Sequence, residues 1–119
     1  MPNDKLALLL KRFAVAATAH HEALEEMDEE RTNAQARMVA GLHKALLNEG
    51  QAGREGLLAL SESAAPVVAG MAAVYLLHLH PERCLAVLRR IALEPGLLGF
   101  RASVAVERWE KGEWNPPGE

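Results

Sequence analysis

From Asp4 to Met27, residues suited to an inward face return every three or four positions: Leu6, Leu9, Leu10, Phe13, Ala17, His20, Leu24 and Met27. That spacing predicts one long amphipathic helix. Asp28 is placed to cap a second helix, because Glu29 and Glu30 then fall in its first turn, where the helix dipole favours negative charge. The inward face of this helix is expected at Ala34, Met38, Leu42, Ala45 and Leu46, with Gly50 ending it. Residues 4–49 therefore read as a long antiparallel hairpin.

Leu57, Leu58 and Leu60 demand burial, and Gln51–Leu60 reads as a short third helix although Gly53 and Gly56 each cost about 1 kcal/mol relative to Ala. Ser61 or Ser63 is expected to cap a fourth helix that accepts Pro66 in its first turn and runs to about His78. Its Val67, Val68, Met71, Ala72, Val74, Tyr75, Leu76 and Leu77 leave no polar face, the mark of a central helix packed on several sides. His80-Pro81-Glu82 reads as cap, first residue and acidic second residue of a fifth helix. This helix turns Cys84, Leu85, Leu88, Ile91 and Ala92 inward and Arg83, Arg89 and Arg90 outward. After the break at Glu94-Pro95-Gly96, a sixth helix is expected from Leu97 to Lys111, with Leu98, Ala102, Ala105, Val106 and Trp109 inward and Gly112 at its end. Residues 113–119 read as an irregular tail.

The segment Met71–Leu77 has an echo thirty residues later in Arg101–Glu107, with small or branched residues coinciding at 72/102, 73/103, 74/104 and 76/106. Such an offset is the length of a helix-turn-helix repeat. The expected fold is all-α: about six helices in stacked antiparallel hairpins, the long one over 4–49 and two more over 51–112, in one domain spanning 1–119.

Composition agrees with that reading and narrows the chemistry. The chain of 119 residues is half apolar but only 4% aromatic, a balance that favours close helix packing over strands. The net charge of −3 is spread nearly evenly, and no basic tail points to nucleic acid. Leu6–Leu10 is too short for a signal-peptide apolar region, and the uncharged run Ala64–Leu77 contains Pro66 and is too short to span a membrane. Cys84 is alone, which excludes an internal disulfide and makes the cytoplasm the expected compartment.

The string from Ala72 to Trp114 combines an Ala-rich helix, Leu-Leu-His-Leu-His-Pro-Glu, a short Leu/Ile helix and a last helix ending Trp109-Glu110-Lys111-Gly112-Glu113-Trp114. It resembles the bacterial domain-of-unknown-function family DUF2019, and Asn33 and Leu42 fall on recurring positions of that family. The resemblance implies an α-α superhelix of the HEAT/armadillo type. It implies no activity, catalytic residue or cofactor. Ser63-Ala64-Ala65-Pro66-Val67-Val68 lacks the Asp and Arg that HEAT-like repeats usually carry there, so no charged ladder is expected along the repeats.

Candidate chemistry is sparse. His20-His21-Glu22-Ala23-Leu24-Glu25 lacks the second His that a zinc-protease helix needs at the position of Glu25, and adjacent histidines point about 100° apart. The alternative is a buried His20 and an i,i+4 pair between His21 and Glu25. Glu22, Glu25, Glu26, Asp28, Glu29 and Glu30 gather carboxylates at the first hairpin tip, where they could steer a basic partner or simply be solvated. Cys84 lies close in sequence to His78 and His80, but it shares the inward stripe with Leu88 and Ile91 and reads as core. Arg83, Arg89, Arg90, Arg101, Arg108 and Lys111, set against Glu94, Glu107 and Glu110, give the last hairpin a local basic excess. HEAT-like DNA glycosylases exist, so a phosphate-binding face is a lesser alternative. Trp109 is expected to close the end of the repeat, and Trp114 to cap it or to anchor a contact.

The function these residues support is a non-catalytic protein-binding module, in a specific form an immunity or accessory protein that neutralises a basic partner. Its expected contacts are Glu22, Glu25, Glu26, Asp28, Glu29, Glu30 and Trp114, with no metal, cofactor or membrane and with homodimerisation as a further possibility. The contrasting reading is a metal-dependent or small-molecule enzyme that uses His20, His21 and nearby carboxylates.

Overall fold

The computed structural model describes residues 4–117, and all the regular structure in it is helical. Six helices follow in order: α1 Asp4–Glu25, α2 Glu29–Leu47, α3 Gln51–Ser63, α4 Pro66–Leu76, α5 Pro81–Ile91 and α6 Gly96–Glu110. They group into two compact units, with the boundary inside α3 between Ala59 and Leu60.

In the first unit α1 and α2 pair along their length. The buried face of α1 is Leu9, Phe13, Ala16, Ala17, His20 and Ala23, a three-and-four spacing that keeps one stripe inward. On α2 the inward face differs from expectation. Val39, Leu42 and Leu46 are buried, whereas Met38 is 54% exposed and Ala34 is exposed. One residue of difference rotates a helix by about 100°. The Ala residues at 34, 36, 40 and 45 give too little contrast to fix the phase, and Val39 decides it.

The glycines of α3 follow from packing. A Cβ on Gly53 would lie 1.8 Å from the Leu46 carbonyl oxygen, so only hydrogen fits where the start of α3 passes the end of α2. The helix-propensity cost is accepted at that point because a close backbone approach replaces a side-chain contact. Leu57 and Leu58 are buried as expected.

α3 is longer than its sequence suggests. Ser61 and Ser63 lie within it, and the N-cap position of α4 falls to Ala65; Ser61 is fully buried, and Ala64 N–H still donates to the Leu60 carbonyl. The break comes from Pro66, which pushes the preceding Ala65 into extended backbone (φ −56°, ψ 151°) and occupies the first helical position of α4.

In the second unit α4, α5 and α6 pack against one another. Pro66 is the one exposed residue of α4, in line with a helix apolar all round. α5 buries Cys84, Val87, Leu88 and Ile91, and Gly70 of α4 faces the Ile91 side chain. His80 holds the N-cap position of α5, but its side chain makes no capping bond. A paired hydrogen bond from Arg83 to Glu62, with Nε to Oε2 at 2.8 Å, ties the start of α5 to the end of α3 and holds the Glu62 carboxyl below the usual range. Trp109 is half-buried and not fully enclosed, because α6 turns Ala102, Ala105 and Gly99 inward and leaves Trp109 at the margin. Among the described residues no helix is long and apolar enough to cross a membrane.

Candidate functional site

The densest set of charged groups lies where α1 gives way to α2. α1 closes with the hydrogen bonds of a Schellman turn: Met27 N–H donates to the Leu24 carbonyl and Asp28 N–H to the Ala23 carbonyl. This geometry puts Met27 in left-handed backbone, at φ +58°, the one such residue among those described that is not glycine. Met27 was expected on the inward stripe of α1. It is instead 90% exposed, because the turn that lets Asp28 cap α2 ends α1 at Glu25.

Asp28 caps α2 as predicted, its carboxylate accepting from Arg31 N–H at 3.1 Å. The Thr32 hydroxyl donates to the Asp28 carbonyl at 2.8 Å and locks the first turn. The Arg31 guanidinium donates to Glu26, and Glu25 Oε1 lies 2.7 Å from His21 Nε2 in the i,i+4 pair. Three of the six tip carboxylates therefore have local structural partners. Glu22, Glu29 and Glu30 are exposed and take part in no ion pair among the described residues. Glu29 and Glu30 are favoured where they stand by the N-terminus of α2, whereas Glu22 and Glu25 face the negative end of α1.

The two histidines separate as adjacent helical residues must. His20 is buried at 7% exposure in the α1 face, and His21 lies along the helix beside Glu25. No group of three or more His, Cys, Asp or Glu side chains among the described residues is arranged to hold a metal ion.

Compared with family models, curated proteins and solved structures, the chain shows no match.

The remaining candidates lie in the second unit. Cys84 is fully buried, and burial pushes its thiol up to about 11, so it is protonated at neutral pH and shielded from reagents. Half of the basic set is already engaged: Arg83 with Glu62, Arg89 with Glu110 at 3.0 Å, and Lys111 with Glu107 at 2.9 Å. Trp114 is half-buried, and its indole N–H is enclosed without an acceptor. Sequence reasoning missed Met27. The signal was present in the cap assignment itself, since a helix starting after Asp28 leaves the preceding residue in the connection and outside the helical stripe.

Proposed function

We propose that the protein is a non-catalytic binding module of the HEAT-like α-α superhelical class, whose first hairpin tip engages a basic protein partner. The resemblance of Ala72–Trp114 to the DUF2019 family and the thirty-residue echo support the class. The observation that carries the binding site is Met27: a large apolar side chain, 90% exposed, held at a φ where glycine would be cheaper by about 1–2 kcal/mol. The strain at this φ gains the fold nothing, since the side chain packs on nothing within it, and a contact made by that side chain is what would offset it.

Around Met27, Glu22, Glu29 and Glu30 offer unengaged carboxylates. The surface therefore fits a partner that sets an apolar pocket among lysines or arginines. The carboxylates would steer its approach, and Met27, flexible and polarizable, would supply the desolvated contact.

The test is a titration of the isotope-labelled protein with an amphipathic peptide of lysine and leucine, followed residue by residue by NMR. The expected result is shifts centred on residues 22–30, lost in Met27→Gly and reversed in salt dependence by Glu29→Lys with Glu30→Lys. Shifts that leave this segment untouched would overturn the assignment.

A further inference from the structure

The charges of α1 are segregated in the sense opposite to the one that favours an isolated helix. Lys5, Lys11 and Arg12 stand in its first half against Asp4 alone, Glu22 and Glu25 stand near its end, and its last turn holds no basic residue. The macrodipole is positive at the N-terminus and negative at the C-terminus, so most of these charges add to it. α2 offsets part of this excess: Glu49, just past its end, lies 3.3 Å from Lys5, and Arg31 in its first turn pairs with Glu26. Glu29 and Glu30 join the acidic end of the hairpin, while Lys44 lies in the last turn of α2, at the opposite end.

Between the two ends α1 exposes Leu8 (47%) and Val15 (62%), seven residues apart and hence on one face. Lys11, Arg12 and Glu22 are exposed on or beside that same stripe. Val15 falls at the middle of Asp4–Glu25.

We propose that this face of α1 pairs, antiparallel, with the same face of a second copy of the chain, about a two-fold axis passing beside Val15. In that register the two Val15 side chains meet at the axis. Lys11 and Arg12 of each copy reach toward Glu22 of the other, while Lys5 keeps Glu49 and Glu25 keeps His21 as partners within the chain. The two helix dipoles oppose each other, and the acidic end of each helix lies beside the basic half of the other. The pattern is self-complementary, as an isologous interface requires, because positive, apolar and negative segments follow one another along a single face.

The strip is about 33 Å long and one helix wide, well short of the roughly 800 Å² per partner of a standard interface. The dimer is accordingly reversible, held by charge and weakened by salt. It shares Glu22 with the tip contact proposed above but uses neither Met27 nor Glu29 and Glu30, and sedimentation of the chain alone, with no basic partner present, reads the dimer separately from that contact.

Sedimentation of the full chain at low and high ionic strength tests the pairing, with circular dichroism confirming that each variant is folded. The wild-type protein is expected to dimerise reversibly at low salt and to dissociate at high salt. Val15→Glu, at an exposed position, is expected to weaken the dimer by about tenfold or more. Lys11→Glu with Arg12→Glu, and Glu22→Lys, are each expected to be monomeric, and mixing the two is expected to restore a one-to-one dimer. A wild-type chain that stays monomeric at low salt up to its solubility limit overturns the proposal. So does a dimer indifferent to Val15→Glu, or a mixture of the charge-reversed variants that fails to pair.

Discussion

The ends of α1 and α6 are built alike and filled differently. In both, two successive N–H groups reach back: Met27 to Leu24 and Asp28 to Ala23 in one, Gly112 to Trp109 and Glu113 to Arg108 in the other. The residue at the corner is left-handed in both, at φ +58° and φ +73°. At the α6 end it is glycine, with open space where a Cβ would stand; at the α1 end it is a methionine exposed to solvent. Backbone geometry favours glycine at each position, so the α1 corner is built at a conformational cost that the α6 corner avoids. The two units differ as well. Both units expose large apolar side chains, Met27 in the first and Leu93 and Phe100 in the second; the first gathers unpaired carboxylates at one tip, whereas the second encloses its cysteine and engages half of its basic groups in ion pairs.

Substitutions at the glycines set the scale for that comparison. Gly99→Ala and Gly53→Ala should be the most damaging: each Cβ would fall 1.8 Å from a backbone carbonyl oxygen, of Glu94 and Leu46 respectively, and forcing backbone apart should cost about 3 kcal/mol or more in a denaturation experiment. Here glycine is needed for room. At Gly112 it is needed only for conformation.

The enclosed chemistry of the second unit predicts a pH effect. In the folded chain the Cys84 thiol stays protonated up to about 11, while in the unfolded chain it ionises near 9. Its contribution is therefore complete below pH 9 and is lost as pH rises toward 11, on the order of 2 kcal/mol over that window. Cys84→Ala should flatten this part of the stability profile, leaving the parallel contribution of Tyr75, which burial also shifts upward. Alkylation of Cys84 should proceed only as fast as the protein unfolds; rapid labelling of the native chain would contradict its enclosure.

Exchanging the two corner residues gives smaller effects of opposite sign. Gly112→Met should destabilise by about 1–2 kcal/mol, since nothing but φ opposes it. Met27→Gly should stabilise by about 1 kcal/mol, because an exposed side chain is removed and the strain with it. A destabilised Met27→Gly would mean that the side chain serves the fold and would remove the case for a binding role.

Much of the fold is legible in the residue pattern where a strong local rule acts alone. Asp28 caps α2 because a carboxylate before a helix has N–H groups to accept from, and Pro81 opens α5 because its fixed φ suits a first turn. His21 pairs with Glu25 because four residues bring side chains together on any helix. Reading failed where two rules competed. Ser61 and Ser63 looked like caps, but with Pro66 setting the break the helix continued past both. Of the candidate site, the acidic tip was visible as composition. That Glu25, Glu26 and Asp28 are engaged while Glu22, Glu29 and Glu30 are not depends on where Arg31 and His21 point.

The sequence by itself determined six helices and nearly all their limits, because capping, proline geometry and three-and-four spacing are local and act within a few residues. It also determined the enclosure of α4 and Cys84, since a helix without a polar face has no other stable place. Tertiary structure alone decided the phase of α2 and the exposure of Leu8 and Val15. Those depend on which backbone lies a few ångströms away, and residues distant in the chain supply it.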